Sequence, residues 1–182
     1  MLEGHFLLSS GRHSDLYVQC AKLLQYPDKA EAVLAHVAQK IRDDVNSGKL
    51  TVNVIAGPAI GGITAAYELG RQLGLPAFFT ERDEGGVMVL RRGFEVKPGQ
   101  AVLIIEDVVT TGKSSLECAK ALEAAGAKIA ALACIMDRRL AGEESLPWPF
   151  YPAARLDFGN WAPEECELCK KGIPLVKPGS RK

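Results

Sequence analysis

Residues 102–115 read VLIIEDVVTTGKSS. The four leading apolar residues have the composition of a strand buried on both faces. An acidic pair follows, Glu106-Asp107, then Val108-Val109, and then a turn of Thr, Gly, Lys and Ser. Beyond it SSLECAKALEAAGAK has helical periodicity, with Ser114 and Glu117 at capping-box spacing and Gly126 as a C-terminal stop. A polar turn between a strand and a helix start is a phosphate site, because the free N–H groups and the dipole of the helix favour an anion. Thr110, Thr111, Ser114 and Ser115 add hydroxyl donors, and Gly112 lets the backbone approach. The tail resembles a triphosphate-binding P-loop. That motif needs glycine five residues before Gly112, where the chain has Asp107. Two carboxylates repel a bare phosphate but accept from sugar hydroxyls or ligate a hard cation. The combination predicts a phosphorylated sugar; the bland reading is the start of a polar loop.

Similar units flank this one. TVNVIAG reads as a buried strand, and GGITAAYELGRQLG as a helix bounded by glycines. PAFFTER is the next strand, and VMVLRRGFEVKPG reads as a hairpin arm turning at Pro98-Gly99. IAALACIMD is another buried strand and FYPAARLDF a last one, with the remainder of the chain read as a surface tail. Pro27 opens an earlier helix carrying Val33, Leu34, Val37, Ala38 and Ile41, closed by Gly48. Before it, HFLL and LYVQC are β-like pieces joined by SSGRHSD. Strands alternating with helices predict an α/β fold, a mainly parallel central sheet flanked by helices.

With 182 residues, 47% of them apolar, the chain has room for one α/β domain and a small accessory lobe. The expected arrangement is a single domain over 1–182, its core at about 27–140 and a hood built from about 1–26 and 147–182. Lys+Arg and Asp+Glu balance at 22 each, so no global field draws nucleic acid or an anionic membrane. No apolar run approaches the roughly 20 residues that span a bilayer. The start lacks a basic region followed by a long apolar one, so no signal peptide is expected. Five cysteines, an odd count, point to a reducing cytoplasm.

Residues 102–115 resemble the phosphoribosyl pyrophosphate (PRPP) signature of the type I phosphoribosyltransferases. Four further segments resemble the orotate-specific branch: FLLSSGRHSDLYVQ, AGPAIGG, MDRR and ECELCKKGIPL. The resemblance implies the type I fold and transfer of a phosphoribosyl group from PRPP to orotate, with Mg2+ carried by the diphosphate and no direct protein ligand. It also implies a homodimer. Glu106 and Asp107 would take the ribose hydroxyls. The stretch Val108, Val109, Thr110, Thr111, Gly112, Lys113 and Ser114 would complete the PRPP site. Thr110 would also approach orotate, and Arg138 would pair with its carboxylate, as a planar guanidinium does bidentately. A structural pair between Arg138 and Asp137 is the competing reading.

The chain departs from the common bacterial pattern in three places. Gly61 and Ser9 stand where lysines are usual, and ERDEGGVMVLRRGFEV lacks the lysine and histidine of the usual mobile loop. Arg82, Arg91 and Arg92 are the candidate replacements around the leaving diphosphate, with Gly85-Gly86 as a flexible tip. Adjacent arginines on a strand would point to opposite faces, so one of the two would be merely solvated, and Arg91 is the one assigned to the site. Family members also carry a helix ahead of the GHFLL region. Cys166 and Cys169 have C-x-x-C spacing without a second Cys or His pair in the nearby sequence, so they read as reduced surface thiols unless a symmetric dimer pairs two such sets. Of the three histidines, His13 is the one expected near the active site. A purine-base phosphoribosyltransferase and a PRPP-sensing regulator that binds nucleic acid are the alternative functions.

Overall fold

The computed structural model describes residues 2–8, 11–139, 146–156 and 159–178. Ser9, where a usual lysine is replaced, and the end of the FYPAARLDF segment lie outside them. The chain divides into two compact units, one formed by Met1–Gln19 with Leu156–Lys182 and the other by Cys20–Arg155.

The larger unit is a six-stranded sheet with helices on both faces. In chain order it contains α1 (Cys20–Leu24), α2 (Pro27–Asn46), β3 (Val54–Pro58), α3 (Gly61–Leu73), β4 (Ala77–Arg82) and β5 (Met88–Leu90). It continues with β6 (Ala101–Val109), α4 (Lys113–Ala124), β7 (Lys128–Asp137) and β8 (Phe150–Arg155). The strand order is β5-β4-β3-β6-β7-β8, parallel throughout except for the edge strand β5. From β3 the chain steps outward to β4, whereas from β6 it steps the other way to β7. The order therefore reverses between β3 and β6, and in open α/β sheets ligands bind in the crevice at such a point.

β6 is the central strand. Residues 101–106 are all buried, as the unbroken apolar run predicts. Val102 and Ile104 pack with Val54, Ala56 and the α4 residues Cys118, Ala119 and Leu122. Leu103 and Ile105 alternate to the opposite face, the side on which α3 lies against β3 and β6. α2 begins at Pro27 and buries Leu34, Val37, Ala38 and Ile41.

Two local readings are corrected. The hairpin in the middle of the chain turns at residues 83–86, not at Pro98-Gly99. Gly86 N–H bonds the Asp83 carbonyl, Val87 N–H bonds the Asp83 carboxylate, and β5 returns antiparallel to β4. Pro98-Gly99 instead leads into the parallel strand β6. The Ser114–Glu117 capping box does not form either. Gly112, at φ 72°, is the N-cap of α4, and no side chain caps the helix.

The smaller unit contains β1 (Leu2–Leu7) and β2 (His13–Tyr17), an antiparallel pair, together with a 3-10 turn at Pro163–Glu165 and the short helix α5 (Glu167–Lys170). The C-terminal stretch is not a loose tail. Val176 pairs beside Phe6 in β1, Trp161 pairs with His13 in β2, and Cys166 is fully buried.

Candidate functional site

The site lies in the larger unit, beyond the carboxyl ends of β3 and β6. Both strands run directly into helices, so the N-termini of α3 and α4 emerge side by side. Neither helix has a side-chain cap, which leaves first-turn N–H groups to meet an incoming anion. The positive φ of Gly112 turns the chain from strand to helix, a conformation that favours glycine. Lys113 N–H reaches the Thr111 hydroxyl at 3.4 Å.

Glu106 and Asp107 are consecutive strand residues, so they face opposite sides of the sheet. Asp107 points toward the start of α3, where a Cβ on Gly61 would overlap its carboxylate. The glycine at the position of a usual lysine thus leaves room for the Asp107 carboxylate where it stands. Gly57 and Gly62 pack the same corner, since a Cβ on Gly57 would run into the Gly62 carbonyl. Glu106 points toward α4, where its charge helps to raise the Cys118 thiol, pushed to about 12 mainly by burial.

Both acids titrate above the ordinary carboxylate range. Burial raises Glu106 well up, and the neighbouring Asp107 charge adds to it. Burial also raises Asp107, against the opposing effect of a 2.9 Å bond from Val108 N–H. The pair is therefore costly to ionise without a ligand. Hydroxyl donors or a cation would relieve that cost.

Arg138 follows β7. Its N–H bonds the Val109 carbonyl at 2.8 Å, and Val109 pairs with Asp137, so Thr110 and Arg138 leave their strands side by side. Asp137 pairs with the next arginine along the chain, bound by both Nε and Nη2 of Arg139 at 2.9 and 3.0 Å. Burial raises Asp137, but the bonds from Arg139 outweigh it and hold the carboxyl below its usual value.

The candidate cations lie around the β4–β5 hairpin. Arg82, at the end of β4, bonds the Gly86 carbonyl at 2.7 Å and forms an ion pair with Glu117 in the first turns of α4. This contact occupies the carboxylate that the sequence assigned to a helix cap. Arg91 and Arg92 lie beyond β5 rather than on it, so strand alternation does not separate them. Residues 91–94 form a turn with φ 59° at Arg92 and 73° at Gly93, closed by Phe94 N–H to the Arg91 carbonyl. Both arginines reach the same acid, Arg92 at 2.8 Å and Arg91 at 3.9 Å from Glu81. Glu81 and Glu117 are the acids that hold these candidate cations, a role the sequence reading did not give them. The only local signal is that each is an acid placed near basic residues.

A protein-family model described as phosphoribosyl transferase domain matches residues 23–150. An orotate phosphoribosyltransferase of Heliobacterium modesticaldum is 49% identical over 181 residues, covering 100% of this chain and 92% of that protein. The chain belongs to the phosphoribosyltransferase family, among the orotate phosphoribosyltransferases. Solved members share its fold. The orotate phosphoribosyltransferase of Aeropyrum pernix aligns with a TM-score of 0.61 at 24% identity, covering 97% of this chain and 85% of that one. A UMP synthase of Leishmania donovani aligns at 0.70 and 24% identity over 85% of this chain, which corresponds to 33% of that longer protein. The departures at Gly61 and in the arginine-bearing hairpin therefore lie within the family, not outside it.

The raised acids give a prediction for the ligand-free protein. Their protonated forms stabilise the fold fully below the ordinary values, about 3.9 for Asp107 and about 4.3 for Glu106, and that stability is lost as pH rises through the higher folded-state values. Glu106→Gln mimics the protonated form. Its melting temperature should match wild type at low pH and exceed it increasingly toward neutrality, by roughly 2–4 °C per kcal/mol for a chain of this size. Calorimetry across pH checks this; a Gln variant less stable than wild type at pH 7 would remove the charge cost.

Proposed function

We infer that this chain transfers the phosphoribosyl group of 5-phospho-α-D-ribose 1-diphosphate to orotate, giving orotidine 5′-phosphate and diphosphate in de novo pyrimidine synthesis. The observation that carries the reading is the placement of an acid pair and an uncapped helix start at the β3–β6 reversal, in a chain nearly half identical over its full length to an orotate enzyme.

In this reading the turn at residues 110–114 holds the 5′-phosphate against the start of α4, and Val108 lines its approach, whereas the Val109 side chain is fully buried. Glu106 and Asp107 accept from the ribose hydroxyls, one on each side of the strand end. Thr110 and Arg138 meet the orotate ring and carboxylate. A ring nitrogen of orotate attacks the anomeric carbon, and the bond to diphosphate breaks through an oxocarbenium-like state. No covalent enzyme intermediate forms. The protein contributes alignment and fixed charge. Arg82 and Arg91 are the cations assigned to the departing diphosphate. Arg91 is the freer of the turn pair, because Arg92 makes the shorter contact to Glu81.

Buried carboxylates whose ionisation is disfavoured fit a ligand that arrives with hydroxyl donors and a hard cation. Mg2+ bound to the diphosphate supplies charge neutralisation there and needs no direct protein ligand. We also assign the protein to the cytoplasm, on its five free cysteines. Among the described residues, no helix is long and apolar enough to cross a membrane. A homodimer completes the proposal; Ile60 and Tyr67, 82% and 71% exposed, are apolar surface of the kind a second copy covers. Light scattering should give twice the chain mass, and a monomer at assay concentration would remove the dimer.

The reaction is tested by following orotate absorbance with PRPP and Mg2+, and repeating with adenine, hypoxanthine, guanine, xanthine and uracil. Orotate alone should turn over; turnover of a purine instead would overturn the base assignment. Arg138→Ala should raise KM for orotate roughly 10- to 100-fold, the value of one charge-assisted bidentate contact, and leave KM for PRPP nearly unchanged. Equal changes in both would remove Arg138 from the base site. Gly61→Ala should displace Asp107 and weaken PRPP binding roughly tenfold, since forced overpacking costs about 1–3 kcal/mol. Titration calorimetry with PRPP reads that loss directly.

A further inference from the structure

The smaller unit contains a polar cluster that the transferase reaction does not use. His5 Nε2 lies 3.2 Å from His13 Nδ1, 3.4 Å from Cys166 Sγ and 3.7 Å from Cys169 Sγ. His13 Nδ1 lies 3.2 Å from Cys169 Sγ. All four atoms fall within 4.8 Å of one another. Zn–N bonds of about 2.0–2.1 Å and Zn–S bonds of about 2.3 Å in a tetrahedron require edges of about 3.3–3.8 Å. The observed contacts cluster around those edges, with no backbone or apolar group needed to complete the set.

The backbone explains how residues from the two ends of the chain converge. β1 carries one extra residue between Glu3 and Phe6 relative to β2, a bulge that includes His5. Val176 N–H bonds the His5 carbonyl at 2.8 Å, and Trp161 exchanges two 2.9 Å bonds with His13. The C-terminal stretch is thereby attached at both histidines. The C-x-x-C pair then sits on the turn of α5, with Lys170 N–H bonded to the Cys166 carbonyl and Gly172 N–H to the Cys169 carbonyl.

Proton positions favour a metal over a hydrogen-bonded cluster. His5 Nδ1 lies 2.7 Å from the Ile173 carbonyl, which only a ring N–H can satisfy. In the neutral ring Nε2 then carries the lone pair and points at the other three groups. An outer carbonyl that fixes the tautomer of a histidine is the usual support of a zinc ligand. Three of the four groups, His5, His13 and Cys166, are buried, in a unit whose buried apolar side chains among the described residues are few. Small lobes with little core commonly depend on a metal or disulfide.

We propose that His5, His13, Cys166 and Cys169 bind one Zn2+ in a closed tetrahedral structural site that fastens the N-terminal hairpin to the C-terminal segment. Two thiolates and two neutral imidazoles suit zinc and not Mg2+, which takes oxygen ligands. Both thiols release their protons to solvent on binding, and the two thiolate charges neutralise the ion. With four protein ligands no position is open for substrate, so the role is structural. The cysteines are then neither surface thiols nor half of a site shared across a dimer, and His13 serves the metal.

The test uses the full chain, freed of any histidine tag and purified without chelator. Mass spectrometry of the metal content should find about one zinc per chain. Cobalt exchanged into the site should give tetrahedral d–d bands with thiolate-to-metal charge transfer. Cys169→Ser alters the exposed ligand, and should retain at least about tenfold less zinc after dialysis against a weak chelator, whereas Cys169→His should retain it. Stripping zinc should lower the melting temperature of wild type and leave Cys169→Ser unchanged. Should the serine variant fail to fold, the cobalt spectrum of wild type still decides. Wild type that takes up neither zinc nor cobalt, or that carries a Cys166–Cys169 disulfide, overturns the proposal.

Discussion

Burial of two adjacent carboxylates at the end of the central strand is the constraint around which the larger unit is built. Glu106 is the last of six consecutive buried residues in the strand and Asp107 follows it partly buried, and burial is the main reason both titrate high. An ionised pair there costs stability that neighbouring contacts must offset. The offset lies in the strand itself. Val102, Leu103, Ile104 and Ile105 are fully buried, with α4 covering one face and α3 the other. The same alternation that distributes these four side chains sends the acids to opposite sides of the strand end. In the proposed reading, a ligand with vicinal hydroxyls would be held by a rigid element, which positions it better than a loop would.

The reversal of strand order between β3 and β6 turns this local constraint into a site. It places two helix starts at one crevice and requires the backbone after β3 to approach Asp107 closely. Gly57, Gly61 and Gly62 answer that requirement, because side chains at the first two would strike the Gly62 carbonyl and the Asp107 carboxylate. A side chain at position 61 would have to displace the Asp107 carboxylate. Loss of the usual lysine and the tight packing of the acid are therefore two aspects of one geometry.

Features encoded by local pattern were legible in the sequence. The unbroken apolar run of β6, the Pro27 helix start and the Thr-Thr-Gly turn before α4 all appear where periodicity and turn chemistry put them. What failed depended on partners distant in the chain. Ser114 and Glu117 have the spacing of a cap, but the Glu117 carboxylate has Arg82, 35 residues away, as a stronger partner. Arg91 and Arg92 appeared to lie on a strand, but β5 ends at Leu90 and a positive-φ turn brings both to Glu81. His5 and Cys166 are separated by 161 residues, beyond any spacing rule for metal ligands. Arg139 takes the acid that seemed a rival partner for Arg138, a choice that depends on the path of the chain after β7.

Under the proposed assignment, the arginines would let a chain of zero net charge meet a highly charged leaving group. Arg82 is held by Glu117, and Arg91 and Arg92 share Glu81, so each of the three guanidiniums already has an acid partner. Exposed or half-exposed pairs of this kind contribute only about 0–1 kcal/mol each. Exchanging a singly charged carboxylate for a diphosphate is therefore cheap on the protein side and gains more on the ligand side. In that assignment, guanidiniums already paired to acids would lose less side-chain entropy when the anion binds. A lysine on a long mobile loop would reach the same anion at a larger ordering cost. The short hairpin, tied at its tip by Asp83 and along its edge by Arg82, offers fewer conformations to lose.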